Sequence, residues 1–110
     1  MGSVPQAAAV FGALAVAPTD PTRSAVSSNQ PSSAAAQNAA LGYCGGDCAI
    51  QANFPSGMCA AYAASMESNG GSYWGWGTDA NQAIAQNKAL QSCRNNGGGN
   101  CVLSAEGCNR

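Results

Sequence analysis

The chain has 110 residues, 8% of them charged, and a formal net charge of −1. That length fits one domain, able to bury about 60–70% of its unfolded surface. Its four basic residues, Arg23, Lys88, Arg94 and Arg110, are scattered, which argues against nucleic acid, whose binding needs clustered Lys and Arg, and no apolar run is long enough to span a membrane.

Residues 1–10 read as a tag remnant and flexible N-terminus, with Met1-Gly2-Ser3 resembling a cloning scar. "AAAVFGALAVA", residues 7 to 17, has the apolar character of a signal-peptide core. It is short and no basic residue precedes it, so the chain reads as a mature segment whose signal has been removed. The expected domain runs over 11–108.

"FGALAVA" (11–17) is expected to be the first strand, an alternating segment bounded by turn residues. "PTDPTRS" (18–24) supplies a turn into a second strand. A helix follows over 31–43. On a helical wheel Ala34, Ala36, Ala40, Leu41 and Cys44 fall within an arc of about 160°, which predicts a buried stripe of small side chains. Asn29 is the expected N-cap, and Pro31 suits the first turn. "GGD" (45–47) then leads into a strand at "CAIQANF" (48–54).

The phrase "AQNAAL" (36–41) returns forty-nine positions later as "AQNKAL" (85–90), and each copy is followed by a cysteine, Cys44 or Cys93. The flanks match as well. "CAAYAAS" (59–65) answers "FGALAVA", and "CVLSAEG" (101–107) answers "CAIQANF". The chain therefore reads as two repeats, 11–54 and 59–108, each in the order strand, turn, strand, helix, strand. In the second, "SNGGS" (68–72) is the hairpin turn, Thr78 the N-cap, and 80–92 the helix. Gln37 and Gln86 sit inside the apolar arc, either half-exposed or tying helix to sheet, while Asn38, Asn87 and Lys88 face solvent. The expected fold class is α+β: a six-stranded, mostly antiparallel sheet with two helices on one face and three disulfides.

Six cysteines and no histidine in so short a chain point to three disulfides and an oxidising compartment. Zinc is disfavoured, because the Cys44–Cys48 and Cys93–Cys101 gaps do not make matching knuckles. Six cysteines allow fifteen pairings. The repeat favours Cys44–Cys48 and Cys93–Cys101 within the halves, leaving Cys59–Cys108. A rival pairing, Cys44–Cys93 with Cys48–Cys101, joins the halves symmetrically.

Catalytic constellations are missing. Without histidine there is no Ser-His or Cys-His relay. Asp20, Asp47, Glu67, Asp79 and Glu106 are isolated in sequence, unlike the carboxylate pair of a glycosidase. "NNGGGN" precedes a strand, whereas a phosphate loop precedes a helix. One stretch has binding character: Tyr73-Trp74-Gly75-Trp76. In a strand Trp74 and Trp76 share a face and Tyr73 takes the other. The plain reading packs both indoles under the second helix as core. The functional reading makes them an aromatic platform for a sugar ring or a partner, with the glycines admitting a ligand closely.

"YWGWGTDANQAIAQNKALQSC" (73–93), with "GALAVAP" (12–18) and "AAAQNAALGYC" (34–44), resembles the secreted domain of unknown function 4189 family over residues 11–108. The resemblance implies a small exported bacterial domain without established enzymatic chemistry, with some relatives acting during host infection. It also implies an acidic residue in many relatives where Gln37 and Gln86 stand. The expected protein is a secreted (extracellular or periplasmic), monomeric, non-enzymatic interaction module directed at a host, competitor or envelope target. It needs no cofactor or metal, and its partner is an unidentified protein or glycan. Alternatives are a carbohydrate-binding module for envelope glycans and an inhibitor or immunity protein of an exported enzyme.

Overall fold

A computed structural model describes residues 9–66 and 72–109. In chain order its elements are β1 (Phe11–Ala17), β2 (Asp20–Gln30), α1 (Ser33–Cys44), β3 (Ala49–Phe54), β4 (Cys59–Met66), β5 (Ser72–Asp79), α2 (Gln82–Asn95) and β6 (Val102–Cys108). The order strand, strand, helix, strand thus occurs twice. Class, strand number and helix number are those the sequence predicts. The layering differs.

The strands form two antiparallel three-stranded sheets, β2-β1-β3 and β5-β4-β6, in place of one six-stranded sheet. Nor do the helices share a face. Ala13 and Ala15 of β1 pack on Ala36 and Ala40 of α1, and Ala61 and Ala63 of β4 pack on Ala85 and Ala89 of α2. The alternate side chains, Leu14 and Val16 of β1 with Tyr62 and Ala64 of β4, meet in a third cluster between the sheets. The layers run helix, sheet, sheet, helix. The physical reason lies in β1 and β4, central strands that are buried on both faces. Such strands carry no polar alternation. A single sheet with helices on one side would leave Leu14, Val16 and Tyr62 in water.

Both helices start two residues later than the sequence predicts. Ser32 caps α1, its hydroxyl accepting from the Ala35 N–H at 3.0 Å, and Asn81 caps α2, accepting from the Ile84 N–H at 3.2 Å. The expected caps, Asn29 and Thr78, belong to the preceding strands. Asn29 takes a left-handed φ of 58° at a register shift of β2 against β1, and Pro31 lies ahead of the cap. The buried stripe is Ala36, Ala40 and Cys44 in α1, and Ala85, Ala89 and Cys93 in α2. Ala34 and its counterpart Ala83 are exposed.

Small side chains let α2 lie directly on β5. A methyl group at Gly75 would stand 2.3 Å from the Cys93 backbone nitrogen, and one at Gly77 would stand 2.4 Å from the Lys88 Cβ. These glycines admit the helix, not a ligand. The glutamines tie helix to sheet in both halves: Gln37 Nε2 donates to Asn53 Oδ1 at 3.0 Å, and Gln86 Nε2 to Glu106 Oε1 at 2.8 Å. Lys88 is exposed, as predicted, but its ammonium reaches back to Thr78 O and Asp79 Oδ2, each at 3.1 Å.

The disulfides are Cys44–Cys48, Cys59–Cys108 and Cys93–Cys101. The first and third staple each helix end to the strand after it. The second joins directly opposed residues of β4 and β6. The rival symmetric pairing does not occur. The turn from β1 to β2 is only Pro18 and Thr19, since β2 already begins at Asp20. The turn predicted at 68–72 lies, apart from Ser72, outside the described residues, although Met66 and Ser72 on either side of it pair.

Candidate functional site

The two halves superpose in register as well as in order. Val26 pairs with Leu14 and Ala25 with Ala15, just as Trp76 pairs with Tyr62 and Gly75 with Ala63. Hence Ser24 corresponds to Trp74, and Val26 to Trp76. Each half also carries one irregularity on its last strand. Ala52 and Ile50 oppose successive residues of β1, leaving Gln51 bulged. Ala105 and Leu103 oppose successive residues of β4, leaving Ser104 bulged. A bulge re-aims the side chain it carries. Exchanging the halves exchanges β2 with β5 and β3 with β6. The seam between the sheets at β2 and β6 therefore has a counterpart at β5 and β3.

One seam is closed. The Ser24 and Ser104 hydroxyls meet across it at 3.1 Å. Gly107 lies so near Val26 that a methyl group there would stand 2.9 Å from its Cγ1. The other seam carries larger groups at the matched positions: Trp74 for Ser24, Gln51 for Ser104, Trp76 for Val26 and Phe54 for Gly107. It holds a cleft of about 370 Å³. Val16 and Ala17 of β1 and Ala49 of β3 give it apolar lining, and Trp74 lines it from β5. Thr19, Gln51 and Ser72 bring hydroxyl and amide groups. Bulky residues at one seam and small ones at the other account for the asymmetry.

Two contacts fix the walls. Trp74 is half-buried, its ring 6.0 Å from that of Tyr62 at 31°, a tilted aromatic pair within the usual range. Tyr62 is fully buried between the sheets. Burial pushes its phenol well above the usual tyrosine range, and the Asp20 carboxylate adds to the effect. On the opposite wall Thr19 Oγ1 donates to Asp47 Oδ2 at 3.5 Å, while Asp47 ion-pairs with Arg23. Arg23 Nε also donates to the Cys44 carbonyl at 3.2 Å, placing a cation at the C-terminus of α1, where the helix dipole favours one.

Of the aromatic residues singled out in the sequence, Trp74 lines the cleft and Trp76 packs into the cluster between the sheets. Neither lies under α2; the plain reading put them on the wrong face, because Gly75 and Gly77 occupy it. Tyr73 points away from both, its ring against Gly97 beyond the end of α2. Gln51, Thr19 and Ser72 escaped the sequence reading. Gln51 had no visible signal, since only the bulge aims it. Asn109 escaped too. It is fully buried, donating to Phe54 O at 2.9 Å and Pro55 O at 3.0 Å and accepting from the Asn29 N–H at 2.8 Å.

Among the described residues no group of three metal-ligating side chains comes together, and no helix is long and apolar enough to cross a membrane. The three disulfides mark a domain that matures outside the reducing cytosol. The model of one family, described as "Domain of unknown function (DUF4189)", matches residues 11–108. No curated protein and no solved structure matches the chain.

Proposed function

The chain belongs to the DUF4189 family, and from that premise we propose that it is a secreted, non-enzymatic interaction module that binds through the cleft between β3 and β5. The observation that carries this reading is the half-buried Trp74 in a mixed apolar and polar cleft, at the one seam where the internal repeat departs from small residues. Binding sites for small ligands are concave, mostly apolar and furnished with a few polar groups. Charge chemistry points the same way. Asp47 is held by Arg23 and Thr19, Asp79 by Lys88, and Glu106 by Gln82 and Gln86. These carboxylates are spent on structure, which supports binding over acid–base catalysis. Disulfide stapling suits an extracellular or periplasmic address, where a monomer meets a host, competitor or envelope target.

The test is retention. Oxidised protein is immobilised and exposed to envelope and host extracts beside a Trp74→Ala variant with the same circular dichroism. The expected result is a component retained by the parent and lost by the variant. Equal retention by both sinks the cleft as the binding surface.

A further inference from the structure

Resting on the cleft as the binding surface, we propose that its ligand is a neutral saccharide, with one pyranose ring stacked on Trp74 and its hydroxyls hydrogen-bonded by Gln51. Among the described residues that line the cleft, none is charged. An ionised ligand seated on these residues would lose hydration without meeting a counter-charge from them. The nearby Arg23 and Asp47 already neutralise each other.

Polarity divides the cleft as it divides a sugar. Trp74, Val16, Ala17 and Ala49 offer apolar surface to a ring's C–H face. Gln51, Thr19 and Ser72 each both donate and accept hydrogen bonds, as sugar hydroxyls require. A fatty chain would leave these groups unpaired, a cost that selects against it. The volume of about 370 Å³ lies at the lower end of ligand sites, which run to about 1,000 Å³, so the cleft takes one residue of a glycan and leaves the rest outside.

The internal repeat gives the polar partner its specificity. At the closed seam the bulged position is Ser104, whose hydroxyl is satisfied by Ser24. At the open seam the same bulge carries Gln51, exposed and opposite an indole. A longer amide on a bulge reaches a group placed between the sheets.

The experiment uses a Trp76→Phe background, which leaves Trp74 as the sole indole of a chain with two tryptophans. Its fluorescence is titrated with neutral hexose and N-acetylhexosamine oligosaccharides, with matched uronic-acid oligosaccharides and with a proline-rich peptide. We expect a saturable change with a neutral saccharide and none with the acidic ones. Gln51→Ala, at an exposed position, should melt with the parent and bind about tenfold more weakly, the loss of one good hydrogen bond. Unchanged affinity in Gln51→Ala overturns the proposal, as does a response only to the peptide or to the acidic sugars. If no neutral saccharide binds while extract retention still depends on Trp74, the sugar proposal falls and the cleft stands.

Discussion

The side chain of Asn109 accepts a hydrogen bond from the backbone N–H of Asn29, eighty residues away, at 2.8 Å. The same amide donates to Phe54 O and Pro55 O, so one buried group ties the end of β2 and the end of β3 to the residue after β6. Its backbone completes the junction, donating to Met58 O at 2.9 Å and accepting from the Gly57 N–H at 3.0 Å. Asn109→Leu keeps the bulk and removes all three side-chain bonds. Leaving buried partners unsatisfied costs about 1–3 kcal/mol each. Urea unfolding should show a loss of several kcal/mol, far more than at exposed Asn38. A loss comparable to that of Asn38→Leu would mean that the junction does not hold the halves.

Close approach of helix and sheet sets the second prediction. Gly75→Ala forces a methyl group against the Cys93 backbone, and Ala89→Leu or Ala40→Leu overfills a position with no exposed surface. Overpacking of this kind costs about 1–3 kcal/mol. Ala83→Leu, on the exposed side of α2, should stay within about 0.5 kcal/mol of the parent. Thermal melts of the four variants check the ranking. If Ala83→Leu and Ala89→Leu melt together, the stripe is not a packing device.

The acid limb of stability should involve Asp79. The Asn81 N–H, followed by the Lys88 ammonium, holds its carboxyl below the usual carboxylate range. A depressed folded pKa gives stability that is present above the unfolded value, about 3.9 for Asp, and lost as pH falls through the folded pKa. Melting temperatures measured downward from neutral pH should therefore drop less steeply in Asp79→Asn than in the parent. Parallel curves would refute the assignment.

At the alkaline end the sign reverses. Tyr62 has a raised folded pKa because burial disfavours its phenolate. Its contribution is complete below the unfolded value of about 10 and is lost as pH rises toward the folded one. Tyr62→Phe should flatten the alkaline fall in stability, at the cost of a lower plateau. An alkaline limb identical to the parent's would show that Tyr62 does not titrate with unfolding.

Disulfide deletions should rank by loop length. Cys59–Cys108 spans 49 residues, against 4 for Cys44–Cys48 and 8 for Cys93–Cys101. In the chain-entropy model these correspond to about 4 kcal/mol for the long loop and about 2–3 kcal/mol for the short ones. Paired Cys→Ala variants compared by urea unfolding check the order, and non-reducing peptide mapping checks the three linkages. A peptide joining Cys44 to Cys93 would contradict the pairing.

By itself the sequence determined the duplication and the element order, favoured the three cysteine pairs over a rival set, and marked the alanine and cysteine stripe that both helices bury. Each of these is a local or periodic property: Ala36, Ala40 and Cys44 recur as Ala85, Ala89 and Cys93 because equivalent helices meet equivalent sheets. What only the tertiary structure decided was how the two sheets meet. "FGALAVA" and "CAAYAAS" are expected as alternating segments, yet both strands are buried on both faces, and a run of small residues does not say whether a helix or a second sheet covers each side. The helix starts were displaced because Asn29 and Thr78 stay in their strands, and only the full course of those strands reveals that. The candidate site was half legible. Trp74 stood out by its chemistry, whereas Gln51 reaches the cleft only because a bulge turns it, and Thr19 and Ser72 because the sheets fail to close. Pairing register and the contact between sheets join residues distant in the chain, and no local pattern encodes the side-chain sizes that keep one seam shut and the other open.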